Sequence, residues 1–303
     1  MIDKPILLEP RVVPRIWGGR RLATEFGREL GSEPVGESWE IHGELRVEGE
    51  DLTLDELVKL HGQSLLGRGC EPEAGFPLLM KWLDCKAWLS VQVHPDDELA
   101  REFTDSPQAR GKTEAWYVHK ADADAELIHG LADGVGPEQL KEARGEQIVG
   151  LLNRVRPEEG QMLYTSAGVI HALGPGNLIY EVQQSCDITY RFFDWGRDRE
   201  THFEKALQCV ERATPEESSQ GSDHLRCRYF SIQVVKQPLQ LEVTDQSFEV
   251  LAATASPLRL SWSRGELEIS SGRSVLLPAG LGVVRLGGSF ESPVLRIRVP
   301  EAS

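Results

Sequence analysis

Short runs of Val, Ile, Leu, Trp and Tyr, broken every few residues by Gly, Pro or Asp, recur along the whole chain, whereas stretches with a helical period are few. The pattern predicts a mainly β protein. Three segments read as helices: 53–66, where Thr53 and Glu56 form a capping-box pattern; 137–153, with Pro137 suited to a first turn; and 202–212. From 225 to 300 the runs RYFSIQVV, LQLEVT, SFEVLAAT, LRLSWS, ELEIS, SVLLPAG and VLRIRV follow one another at the spacing of a sandwich or small barrel. The polar stretch TPEESSQGSD, 214–223, reads as a linker. The expected division is a unit over 1–213 with a short helical segment around 137–153, then a C-terminal β unit over 224–303.

An internal echo joins the two units. GQMLYTSAGVIHAL begins at Gly160 and GRSVLLPAGLGVV at Gly272; each has a Gly, a short apolar strand, Ala-Gly, and a second apolar strand. The echo predicts two related β-barrels. Three residues after its second glycine, the first copy has His171 and the second has Val283, so any metal chemistry belongs to the first.

The first copy lies among residues suited to a metal. In LSVQVHPDD, strand alternation puts Gln92 and His94 on one face while Val91 and Val93 turn to the other. Glu114 in GKTEAWYV adds a carboxylate and His171 in SAGVIHAL a second imidazole. Two imidazoles, one carboxylate and one neutral amide leave a divalent ion with net positive charge and open positions, the character of a catalytic site. Taken singly, His94 suits a turn before Pro95 and His171 a buried core position. Lys112 shares the face of Glu114, two residues away, and Arg191 in SCDITYRFFDWGR offers a planar fork suited to phosphate or a developing enediolate. Pairing of Arg191 with Asp187 or Asp194 is the alternative.

Charge and cysteine content narrow the setting. With 48 acidic and 33 basic residues the chain carries a net charge of −15, which repels nucleic acid and anionic membranes, so an anionic substrate needs a local basic patch. Lys112, Arg191 and Lys86 are candidates for it. Five scattered cysteines without a Cys-x-x-Cys pair point to a reducing cytoplasm and away from a disulfide framework or a thiolate zinc cluster. The N-terminus lacks a signal-peptide pattern, and no apolar run approaches the ~20 residues of a membrane span.

The motifs RIWGGRRLATEFG, GESWEI, FPLLMKWLDCKAWLSVQVHPDD, GKTEAWYV, SAGVIHALGPG and EVQQSCDITYRFFDWGR together span most of 15–196. In combination they resemble the type I mannose-6-phosphate isomerases in their short bacterial form, members of the cupin superfamily. The resemblance implies an RmlC-like jelly-roll double β-barrel with a small helical addition. It also implies one zinc per chain on His94, Glu114 and His171, with Gln92 matching the amide ligand of longer members. Arg191 falls on the family's active-site arginine, and Ser90 and Lys112 match positions that contact the sugar phosphate. The implied reaction is interconversion of mannose 6-phosphate and fructose 6-phosphate through a cis-enediol, in a cytoplasmic monomer or weak homo-oligomer. A sugar-phosphate-binding cupin without turnover, an isomerase of another phosphosugar and a cupin-type non-haem oxygenase are the alternatives. The part from Leu225 onward carries no signature of the family.

Overall fold

Two strands, Leu78–Cys85 and Asn177–Gln184, are buried at every position, which a sheet with one wet face would not allow. In the computed structural model, which describes residues 2–214, 217–288 and 290–300, they pair antiparallel in the middle of a six-stranded sheet. Its order is Arg11–Gly19, Val35–Ile41, Leu78–Cys85, Asn177–Gln184, Glu114–Ala121, Met162–Thr165. One face carries Trp82 and Tyr180 into a core shared with Ile232, Val250 and Leu276 of the C-terminal strands. The Trp82 indole donates to Gly272 O at 2.8 Å and the Tyr180 hydroxyl lies 2.7 Å from that of Ser274, so the buried polar ends on this face are satisfied across the boundary. The other face turns Leu83, Trp116 and Ile179 toward Leu127 and Leu173 of a five-stranded sheet. That sheet runs Tyr190–Phe193, Val91–Val93, His171–Leu173, Leu127–Leu131, Leu152–Val155.

The C-terminal strands form a seven-stranded and a four-stranded sheet with a separate core between them, centred on Leu251, Leu260, Val275 and Val284. The seven-stranded sheet takes one edge strand from the N-terminus, where Ile6–Leu7 pairs with Ser274–Leu277. The class is mainly β and cupin-type, with a small helical part, as expected. Of the expected linker, Pro215 and Glu216 lie outside the described residues, and Ser219–Gln220 is a short strand.

The echo has a physical basis. Gly160, Gly168, Gly272 and Gly280 have φ of 82°, 80°, 74° and 75°, a region closed to most L side chains, and Met162–Thr165 and Ser274–Leu277 each begin two residues after the first glycine of their copy.

Helices depart from the sequence pattern where the backbone is forced. Thr53 and Glu56 form the expected capping box, but Gly62, at φ 50°, breaks the run into Leu54–His61 and Gln63–Leu66. The segment 137–153 is α-helical only over Pro137–Glu142; Ala143 turns extended, Gly145–Leu151 is a 3₁₀ stretch and Leu152 enters a strand. The third expected helix runs Phe203–Arg212. Arg21–Phe26 and Asp97–Thr104 are additional; the Asp96 side chain caps the latter, accepting from Leu99 N–H at 2.9 Å. No helix of the described residues is long and apolar enough to cross a membrane.

Candidate metal centre

Strand register assembles the site. On the five-stranded sheet Arg191 stands opposite Gln92, Gln92 opposite His171 and His171 opposite His129, so four polar side chains from four adjacent strands form one row. Val91 and Val93, on the reverse face, are fully buried in apolar packing, the alternation that directs Gln92 inward. Glu114 comes from the facing sheet, where it pairs with Thr165 and Gln183. His94 follows the strand that carries Gln92.

His94, Glu114 and His171 are each 1% exposed. One ligand atom from each lies within 4.8 Å of the others: His94 Nε2 is 3.6 Å and His171 Nε2 is 3.3 Å from Glu114 oxygens. The outer ring nitrogens are already engaged, His94 Nδ1 with Ile188 O at 2.8 Å and His171 Nδ1 with Val169 O at 2.9 Å. With Nδ1–H donated to a carbonyl, each Nε2 presents its lone pair to the centre, the arrangement in which histidines bind metals. Burial holds both imidazoles neutral: the His94 ring lies well below the usual histidine range, helped by Lys112 and His171, and His171 falls to about 3. Glu114 Oε2 is buried and makes no well-aligned hydrogen bond, its close neighbour being the Lys112 ammonium at 2.7 Å. Two neutral imidazoles and a carboxylate oxygen with a free lone pair are a donor set that fits a divalent ion such as zinc.

The remaining expected residues surround this cluster. Gln92 reaches it with its amide nitrogen, 3.3 Å from His171 Nε2, while its oxygen accepts from Ser90 Oγ at 3.0 Å; as a ligand it would need its amide turned over. Lys112 Nζ is 2.7 Å from Glu114 Oε2 and 3.1 Å from His94 Nε2. A cleft of about 340 Å³ opens beside the cluster, lined by Ser90, Gln92, Lys112 and Arg191. Asp194 is bound by Arg197 and Arg199, both at 2.6 Å, and Arg191 makes no ion pair among the described residues. Its Nε is buried without a partner. Ion pairing with Asp187 or Asp194 therefore does not account for Arg191. Lys86, expected in the basic patch, instead lines a different cavity with Arg21 and Asp84, just past the end of the strand Leu78–Cys85.

Several cleft residues were not anticipated. Lys81 Nζ is 3.1 Å from Glu181 and 4.0 Å from Glu37, and Arg15 Nε is 2.7 Å from Glu37. Trp116 and Trp39 donate indole N–H to Glu181 and Glu37 at 3.0 and 2.7 Å. Burial would raise the Glu37 carboxyl, but Lys81 and Arg15 outweigh it and hold it at about 2; Lys81 stays protonated despite burial, held by Glu181 and Glu37. The available signal was a Lys inside the apolar run LLMKWLDC, since a charge amid buried positions implies a buried partner.

Known proteins resemble this chain along most of its length. The family profile described as "Phosphomannose isomerase type I, catalytic domain" matches residues 6–130. Mannose-6-phosphate isomerase ManA of Bacillus subtilis (strain 168) is 33% identical over 317 aligned positions, covering 96% of this chain and 98% of that protein. Mannose-6-phosphate isomerase of Streptococcus mutans is 37% identical over 227 positions, covering 70% of this chain and 69% of that one. The crystal structure of the mannose 6-phosphate isomerase from Bacillus subtilis superimposes with a TM-score of 0.82 at 29% identity, covering 97% of this chain and 99% of that chain. One-third identity across nearly the full length of both chains, with the same fold, places this protein in the type I phosphomannose isomerase family.

Proposed function

We propose that the protein is a zinc-dependent aldose–ketose isomerase that interconverts mannose 6-phosphate and fructose 6-phosphate. The observation that carries the reading is the buried His94–Glu114–His171 cluster, beside a cleft holding an arginine, Arg191, with no ion pair among the described residues, in a member of this family. His94, Glu114 and His171 would hold one zinc per chain, with Gln92 as the amide ligand; bound there, zinc supplies Lewis acidity toward an anionic oxygen. The catalytic role is assigned to the unit over 1–213, and the unit over 224–303 is a second, metal-free cupin-like domain.

The reaction transfers a proton between C2 and C1 of the open-chain sugar by way of a cis-enediol. Negative charge grows on the substrate oxygens as the proton leaves carbon, and Arg191, projecting into the cleft, stabilises that charge more in the transition state than in the ground state. Lys112 and Ser90 orient the sugar phosphate. The proton carrier lies outside the ligand set, because coordination would consume the Nε2 lone pairs of His94 and His171. The five cysteines are free in the structure, in keeping with the reducing cytoplasm to which we assign a monomer or weak homo-oligomer.

The test is the initial rate of fructose 6-phosphate formation from mannose 6-phosphate by zinc-loaded protein in a coupled assay, against a boiled control. A clear rate is expected. No rate with zinc confirmed bound would favour another phosphosugar or a binding protein without turnover.

A further inference from the structure

The echo extends from turns to strand register. Thr165, five residues after Gly160, pairs with Glu114; Leu277, five residues after Gly272, pairs with Glu249. Glu249 thus holds in the seven-stranded sheet the place that Glu114 holds in the six-stranded one, and the neighbouring strands follow in the same order. The row Trp116–Glu181–Lys81 has its counterpart in Leu251–Arg296–Gln233, and Gln183, beside Glu114, has its counterpart in Arg298, beside Glu249.

The chemistry at this second place is different. Glu249 is buried and clamped by Arg296 through two bonds of 2.6 Å, and Val283, standing where the first copy has His171, is 41% exposed. In place of a metal-binding cluster there is a trough of about 670 Å³ lined by Arg226, Ser231, Gln233, Glu249, Arg296 and Arg298. Its acids are both occupied, Glu249 by Arg296 and Asp223 by Lys236 at 2.5 Å. Arg226 and Arg298 have no ion pair among the described residues. Each stands in register with Ser231, one on either side, so their Cα atoms are two strand spacings apart, about 10 Å, with side chains on the same face of the sheet. Two guanidinium forks flanking a hydroxyl suit one phosphate group, and they make a locally positive surface on a chain of net charge −15.

We propose that this trough is a phosphate-binding site, separate from the metal centre and without a metal, that takes free phosphate or the phosphate of a small ester, with Arg226 and Arg298 as its anchors.

The test is calorimetric titration of the zinc-loaded protein with inorganic phosphate, and separately with glucose 6-phosphate, at about 0.15 M salt, where exposed charges further apart than ~8 Å are screened. The wild type is compared with Arg226→Ala/Arg298→Ala and with Arg259→Ala, which removes an exposed arginine of the other C-terminal sheet. The expected result is that the double variant binds one phosphate fewer per chain, or binds it at least tenfold more weakly, while Arg259→Ala and the turnover of mannose 6-phosphate by the double variant match the wild type. Tighter binding of glucose 6-phosphate than of inorganic phosphate at this site assigns it to esters, and equal binding assigns it to the free anion. Unchanged stoichiometry and affinity in the double variant, or an equal loss in Arg259→Ala, would overturn the proposal. Because the readout is a difference in binding between proteins, it stands whether or not the isomerase reaction is observed.

Discussion

Replacing Lys81 by Met, similar in length and uncharged, withdraws a cation that lies between Glu37 and Glu181. Lys81 Nζ is 3.1 Å from Glu181 Oε1 and 4.0 Å from Glu37 Oε2, and all three side chains are at most 8% exposed. Without it Glu37 keeps Arg15 and the Trp39 indole, whereas Glu181 keeps the Trp116 indole. Leaving a buried carboxylate without its cation costs about 3–5 kcal/mol. A second route gives a similar size: burial works against ionisation of Glu37, yet Lys81 and then Arg15 bring its carboxyl from 4.5 to about 2, worth about 3 kcal/mol when both are present. We expect Lys81→Met to lose about 3 kcal/mol near pH 7.5. The sign of the pH dependence follows from a folded pKa below the unfolded one. The stabilisation is complete above about pH 4.5 and is lost as pH falls from there toward 2. The gap between wild type and variant should therefore narrow by about 1 kcal/mol on going from pH 7.5 to about pH 3.5. Urea unfolding followed by tryptophan fluorescence at both pH values measures it. A loss under about 1 kcal/mol near neutrality, or a gap that widens in acid, would show that Lys81 does not hold these carboxylates in their ionised form.

Three further outcomes are expected. Lys112→Glu should raise KM for mannose 6-phosphate more than Lys112→Ala, because it adds a negative charge beside Glu114, 2.7 Å from the present ammonium; equal effects in steady-state kinetics would remove the electrostatic role. Arg191→Ala should lower kcat/KM about 100-fold with an unchanged unfolding midpoint, since Arg191 makes no ion pair among the described residues; a shifted midpoint would make its role structural. Tyr180→Phe breaks the 2.7 Å contact with Ser274 across the boundary between the two sheet systems and should cost about 1–2 kcal/mol in urea unfolding, and no loss would show that this contact is idle.

What could be read from the chain was what local pattern controls. Alternation in LSVQVHPDD set Gln92 and His94 against Val91 and Val93, the capping box marked the helix start at Thr53, and the glycines of the echo marked two equivalent turns. The helix pattern of 137–153 was overridden by Ala143 and Gly145. Asp97–Thr104 escaped because Asp96, its cap, reads equally well as the end of the preceding strand. The Arg15–Glu37–Lys81–Glu181 network was hidden for a different reason. Its members come from four strands, and cross-strand neighbours leave no periodic trace. Lys86 shows the converse error, since closeness to the motif Leu78–Cys85 placed it near the site in sequence but not in space.

Isomerisation is expected to depend on one zinc at His94, Glu114 and His171. The most direct test is titration of chelator-stripped protein with zinc, following bound metal and the rate of fructose 6-phosphate formation from mannose 6-phosphate together, in the wild type and in His171→Ala. The rate should climb in proportion to bound zinc and level off at one equivalent per chain, with neither tight binding nor rate in His171→Ala. Full turnover by the stripped wild-type protein, or a His171→Ala variant that binds zinc and turns over as the wild type does, would contradict this dependence.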